Sequence, residues 1–353
     1  MQATHVAQWS ELVPFTLSAL TMHSKETLQQ ALFVLTSLAQ HSVALRDCVL
    51  SHAGLEQLIR MLKSDGSAEI VTDVSWAIRG LFALRPEPAA ALLGDATVQL
   101  ADFLHDRHNT FQSTAAWCLA DLTTNSREDT CRLVVDVLPA LISIIREDAI
   151  TEVLLPCVRI IGNICSSTDA CTLMVVSTGV LPQLIPLMER GDNSLAREVC
   201  WAVSNVTAGP AHVVQAVLDA GLVAPLLHFL QSTDESVQQE ALWALCNCTT
   251  GGSLEQVGYL IDQGCLPWIC AMLEIPNHQL MALALEGLQN IVAALPAAES
   301  APDGTDASVR LASAAIAQIR EAAGPRLEAI NTDSAFSDLH ELAHQLQARL
   351  AAR

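Results

Sequence analysis

Apolar residues recur at three- and four-residue intervals in segment after segment of this chain, the spacing of one buried face of an α-helix. The longest such segments predict helices over residues 26–40, 69–83, 110–124, 152–166, 194–208, 236–250 and 279–293. In the better copies a shorter apolar stretch precedes each, often with Pro near its start: LPQLIPLM from Leu181, VAPLLHFL from Val223, LPWICAML from Leu266. A first helical turn tolerates Pro because its amides lack intrahelical partners. Polar turns (GDNS, STDES, IPNH) then cap the long helix. Ahead of the middle helix, Gly54, Gly179, Gly221 and Gly264 are placed to close a short one, the last three 42 and 43 residues apart. The unit reads as three helices: short, middle, long.

The units repeat. VSWAIRG at Trp76, TAAWCLAD at Trp117, CVRIIGN at Arg159, EVCWAVSN at Trp201 and EALWALCN at Trp243 lie 41, 42, 42 and 42 residues apart. ALFVLTS at Phe33 and ALEGLQN at Glu286 extend the series by 43 residues on either side. That period marks stacked helical repeats of the HEAT or armadillo kind, an all-α solenoid that grows by stacking. SELVPFTLSAL reads as a middle helix, so the array opens partway through a unit. The expected organisation is an array over 1–295 with an incomplete first unit, a flexible loop over 296–308 (PAAESAPDGTDAS), and capping helices over 309–353. A Gly-Pro turn is expected at 324–325 within the cap.

An Asn follows Trp201 and Trp243 by four residues, at Asn205 and Asn247. On a helix this sets an indole and an amide on one face, one turn apart. Indole faces one repeat apart can sandwich the stem of a cationic side chain, and each contact contributes ~0.5–2 kcal/mol. Amides offer both a donor and an acceptor to an extended peptide backbone. Glu198, Glu240 and Asp73 each stand three residues before their Trp, where they can meet Lys or Arg heads. The pattern fits a groove for extended Lys/Arg-rich peptides.

Composition sharpens this picture. Hydrophobic residues make up 51% and charged residues 16%, which excludes disorder over most of the length. Asp and Glu number 38 against 18 Lys and Arg, a net charge of −20, and only Lys25 and Lys63 are lysines. No cationic cluster exists to neutralise phosphates, so nucleic acid is not an expected partner, and the field repels anionic membranes while attracting basic ligands. No apolar run approaches about 20 residues. The N-terminus has neither a basic n-region nor an apolar h-region, so no signal peptide is expected. Eleven cysteines without zinc-ligand spacing read as buried thiols of a reducing compartment. Asn205-Val-Thr and Asn247-Cys-Thr match the glycosylation acceptor pattern by accident on this reading. His105 and His108, with Asp102 and Asp106, read as a solvated turn and not a metal site; with no nucleophile motif or phosphate loop, neither enzyme nor cofactor is expected.

From about residue 8 to 350 the chain resembles the armadillo array of importin α, the nuclear-import adaptor family. CVRIIGNICSSTDACT is similar to the family's Arg-containing repeat, and EVCWAVSNVTAGP and EALWALCNCTTGGSLEQVGYLIDQGCL to the two repeats after it. ALEGLQNIV and IREAAGPRLEAINTD resemble the later and closing repeats. The resemblance implies a right-handed superhelix whose concave face binds nuclear localisation signals, and a life in cytoplasm and nucleus. It implies a minor-site-like set of Trp201, Asn205, Trp243, Asn247, Ser204, Glu198, Glu240, Asn163 and Arg159, with Asp169 and Thr172 lining a lysine pocket. Cargo proteins bearing basic peptides are the implied partners, with an export receptor at the C-terminal repeats.

The early repeats depart from the family. Their pairs read Phe33/Ser37, Trp76/Gly80 and Trp117/Asp121, without one Asn, and Thr114 stands where a carboxylate is expected before Trp117. Trp76, Trp117, Asp73 and Asp121 thus mark a degenerate early groove. Residues 1–24 contain no Lys or Arg, so nothing there corresponds to the family's importin-β-binding segment, and importin β is not expected to dock through this chain. Two functions remain in view: a peptide receptor working through the later repeats, and a scaffold that kept the fold for one dedicated partner.

Overall fold

A computed structural model of the chain describes residues 6, 8–22, 24–64, 67–86, 88–89, 93, 96–106, 108–124, 134–147, 149–295 and 307–352. The expected flexible loop therefore lies almost wholly outside the described residues, as does Cys131. All described elements are helices, and they fall into two compact units, Met1–Thr178 and Gly179–Arg353.

The first unit contains α1 (Leu12–Ala19), α2 (Lys25–His41), α3 (Val43–Ser51), α4 (Gly54–Ser64), α5 (Ala68–Phe82), α6 (Ala96–Asp102), α7 (Asn109–Thr123), α8 (Leu138–Arg146), α9 (Thr151–Cys165) and α10 (Asp169–Ser177). Its long helices α2, α5, α7 and α9 stack side by side in chain order. Each buries an apolar stripe: Val71, Val74, Ile78 and Leu81 on α5 are all at most 1% exposed. Burying such a side chain contributes roughly 1.5–3 kcal/mol, which is why tertiary packing and not propensity holds these helices.

The second unit contains α11 (Leu181–Met188), α12 (Asn193–Thr207), α13 (Ala211–Asp219), α14 (Val223–Phe229), α15 (Glu235–Gly251), α16 (Leu254–Asp262), α17 (Cys265–Ala271), α18 (His278–Ala294), α19 (Ala307–Thr332) and α20 (His340–Ala351). Here α12, α15 and α18 stack in turn. The polar turns cap as their residue types predict: Asp192 accepts from the Ser194 and Leu195 amides, Asp234 from Ser236, and Asn277 from Gln279 and Leu280. Ser253 and Gln256 complete a reciprocal capping box on α16.

Two side chains recur with the repeat and brace it. Gln112 and Gln238, each five residues before a Trp, donate to the carbonyls of Leu104 and Leu230 and tie the long helix to the end of the helix before it. Thr123, Thr207 and Thr249, each six residues after a Trp, are buried and return their hydroxyls to their own helix backbone. The Thr of both glycosylation-like triplets is therefore this repeat position.

Two details differ from expectation. Gly179, Gly221 and Gly264 do adopt left-handed backbone, but before α4 that conformation falls on Ala53, with φ 57. Gly54 is needed for another reason: a Cβ there would meet the Val49 carbonyl oxygen at 2.7 Å. The expected Gly-Pro turn at 324–325 is not a turn, because Pro325 lies inside α19. Ala323, Leu327 and Ile330 around it are buried, and α19 packs on both α17 and α20. That burial outweighs the single backbone hydrogen bond the Pro removes. Arg326 Nε donates to the Leu273 carbonyl at 2.8 Å and Gln289 Nε2 to the Leu342 carbonyl at 2.7 Å, fastening the tail over α17 and α18.

A candidate peptide-binding ladder

On α12, Glu198, Trp201 and Asn205 lie on one face at spacings of three and four residues; Glu240, Trp243 and Asn247 repeat the arrangement on α15. Trp243 is 41% exposed, Trp201 half-buried. The two helices are joined at this face, since Asn247 Nδ2 donates to the Ser204 carbonyl at 2.9 Å. Ser204 itself is buried and its hydroxyl is turned to the Trp201 carbonyl. It therefore helps through its backbone more than through its hydroxyl. Asn290 on α18 repeats the reach, with Nδ2 on Thr250 Oγ1 at 2.9 Å.

The two carboxylates differ in depth. Glu198 is only 2% exposed, below the surface its spacing suggests, whereas Glu240 is half-buried. Burial pushes the Glu240 carboxyl up from its ordinary 4.5; Arg197 partly opposes this and the Glu198 charge reinforces it. Glu240 thus sets a carboxylate within reach of solvent beside the two indoles, where a cation can meet it.

In the first unit, Asn163 is buried on α9 and spends its amide on the structure: Nδ2 donates to the Ala120 carbonyl at 3.0 Å and Thr123 Oγ1 at 3.1 Å. Arg159, one turn earlier, is half-buried. Thr172 is 2% exposed and its hydroxyl donates to the Cys165 carbonyl at 2.9 Å, so it presents nothing at a surface, whereas Asp169 is exposed at the start of α10.

The early ladder holds an arrangement the sequence did not suggest. Arg79, on α5, lies with its guanidinium carbon 5.0 Å from the Trp76 ring centroid and 5.1 Å from that of Trp117, on α7. Its Nε is hydrogen-bonded and ion-paired to Asp121. The only signal was Arg79 itself, a cation at the position where the other Trp repeats carry Ala120, Ser204 and Cys246. One repeat earlier, Phe33 is 70% and Trp76 55% exposed beside a cavity of about 390 Å³ that Asp73 also lines. Asp73 accepts from Gln29 Nε2 at 3.1 Å.

Other chemistry does not assemble. Asp102 faces Lys63 at 3.8 Å and Asp106 accepts from the His108 amide, and among the described residues no three His, Cys, Asp or Glu side chains gather to hold a metal ion. The described cysteines form no disulfide and all but Cys48 are buried; burial pushes the thiols of Cys118 and Cys157 up to about 12. Among the described residues no single helix is long and apolar enough to cross a membrane.

The Armadillo/beta-catenin-like repeat model matches residues 168–208 and 210–250, which include the second-unit ladder on α12 and α15. Importin subunit alpha-1b of Oryza sativa subsp. japonica is 31% identical over 292 residues, covering 82% of this chain and 54% of its own length. Importin subunit alpha-8 of Arabidopsis thaliana is 30% identical over 295 residues, 82% of this chain and 66% of its own. The chain belongs to the importin-α-like armadillo-repeat proteins. It spans roughly half to two-thirds of the length of these relatives. Among solved structures, an engineered protein superposes with a TM-score of 0.69 at 23% identity, covering 96% of this importin-α-like chain and 88% of its own. A designed armadillo repeat protein in complex with the peptide (KR)4 gives 0.61 at 22%, covering 71% and 98%. Both show the fold, an all-α armadillo solenoid.

Proposed function

We propose that this chain is a receptor for extended Lys/Arg-rich peptides of the nuclear localisation class, which it holds through Trp201, Asn205, Trp243 and Asn247. The observation that carries the reading is the pair of accessible indoles one repeat apart, Trp201 and Trp243, each followed one turn later by a half-buried amide, with the half-buried Glu240 carboxylate beside them. A Lys or Arg stem laid across such rings gains cation–π attraction, and its head can meet the half-buried Glu240 carboxylate. The half-buried amides on the same face suit the peptide backbone. A net charge of −20 speeds the encounter with a basic ligand.

The reading places the protein in nucleocytoplasmic protein transport, between cytoplasm and nucleus, with basic-signal cargo as its partner and no catalytic step of its own. Family likeness supports that role, and the designed armadillo protein bound to (KR)4 shows that the fold can accept an alternating basic peptide. Asp169 and Arg159 are further candidates to contact the peptide, and the C-terminal repeats to meet an export receptor.

The test is fluorescence anisotropy with a labelled Lys/Arg-rich localisation peptide at two salt concentrations, on wild type and Trp201→Ala/Trp243→Ala. Salt-sensitive binding that the double variant loses is the expected result. A folded wild type that binds nothing would end the receptor reading and leave a scaffold for a dedicated partner.

A further inference from the structure

We propose that Arg79 is a built-in occupant of the seat between Trp76 and Trp117, and that it excludes the basic side chains of a peptide from this part of the first unit. The inference rests on the peptide-receptor reading for the identity of what is excluded, but its geometry is its own.

A cation seat in a Trp ladder needs two ring faces one repeat apart and a carboxylate to meet the charged head. All three are present here, and all three are engaged by one side chain of the same fold. The guanidinium carbon lies 5.0 and 5.1 Å from the two ring centroids, and the carboxylate of Asp121 accepts a hydrogen bond from Nε. Asp121 stands four residues after Trp117, the place that Asn205 and Asn247 hold after Trp201 and Trp243. The carboxylate that replaces the amide thus serves the chain's own arginine. Both partners are mostly shielded, with side chains 27% and 28% exposed. A Lys or Arg arriving on a peptide would have to break these contacts to remake the same ones, with no net gain and an added association cost.

Space is not what closes the seat. A cavity of about 280 Å³ adjoins it, lined in part by Gln40, Trp76, Arg79, Asp121 and Thr124. Shortening Arg79 would leave two indoles, a carboxylate and a way in. Arg79 therefore sets which repeats read a basic peptide.

The experiment uses the full chain carrying Trp201→Ala/Trp243→Ala, which removes the later ladder, and a labelled (Lys-Arg)4 peptide read by anisotropy at two salt concentrations. Adding Arg79→Ser should tighten binding at least tenfold over that background, in a salt-sensitive way. Adding Asp121→Ala as well should abolish the gain, and Arg79→Lys in place of Arg79→Ser should give none. No gain on Arg79→Ser, or a gain that survives Asp121→Ala, overturns the proposal. Should Arg79→Ser fail to fold, Trp76→Ala/Trp117→Ala in the otherwise native chain decides: unchanged peptide affinity supports a closed seat, and weakened affinity overturns it. Whether wild type loses affinity with Trp201→Ala/Trp243→Ala is read separately, so the receptor reading can fail without deciding this one.

Discussion

Asn247 reaches back one repeat to Ser204, its Nδ2 donating to the Ser204 carbonyl at 2.9 Å. The ladder amide is therefore a structural tie as well as a candidate ligand contact. Asn163 makes the same kind of tie with more partners and at 4% exposure. Removing a buried donor strands its acceptors at a cost of about 1–3 kcal/mol, against about 1 kcal/mol for an ordinary hydrogen bond. Asn163→Ala should accordingly destabilise the protein more than Asn247→Ala, while only Asn247→Ala should weaken peptide binding. Denaturant midpoints and peptide titrations check this, and the reverse order in either would refute it.

Glu240 gives the ladder a pH dependence. Burial, followed by the smaller opposing effect of Arg197 and the reinforcing effect of Glu198, raises its folded-state pKa above the ordinary 4.5. A raised carboxyl binds its proton more tightly folded than unfolded, so this group's contribution to stability falls as pH rises from the unfolded pKa through the folded one. Peptide binding should run the opposite way, because only the ionised carboxylate attracts a cation. Affinity should rise over that same window, and Glu240→Gln should flatten both profiles. A wild-type affinity unchanged across the window would contradict the assignment.

Left-handed backbone predicts substitutions of opposite sign. Gly264, with φ 81, closes the turn before α17, and a Cβ there strains the backbone by roughly 1–2 kcal/mol. Gly264→Ala should therefore lower the melting temperature. Ala53 already carries that strain, and Gly relieves it at an entropic cost of about 0.5–1 kcal/mol. Ala53→Gly should be neutral or stabilising; equal losses at both positions would show that contacts and not backbone set the difference.

The approach of α18 to α15 depends on a missing methyl. A Cβ on Gly287 would stand 2.5 Å from Cys246 Sγ, so Gly287→Ala should destabilise by about 1–3 kcal/mol through overpacking. Cys246→Ala on the same background should recover part of the loss. A double variant no better than Gly287→Ala alone would place the strain elsewhere.

The sequence revealed the long helices because each 42-residue unit repeats the same buried stripe and polar cap, so every copy corroborates the others. It could not show where ladder side chains point once neighbouring repeats stack. Asn163 and Asn247 look alike on the page, yet one is enclosed and the other half-open. Arg79 was visible as a residue, but its meaning needs Trp117 and Asp121, some forty positions away, brought against it. Pro325 misled for a related reason: a local turn signal yields when apolar residues on both sides of it find a tertiary surface.

Arg79 also differs from any peptide in being tethered. A side chain that cannot diffuse away acts at an effective local concentration on the order of millimolar or more, as linked groups do. A free competitor at micromolar levels, with an intrinsic affinity for two indoles and a carboxylate like that of the arginine itself, would leave the seat between Trp76 and Trp117 essentially unchanged.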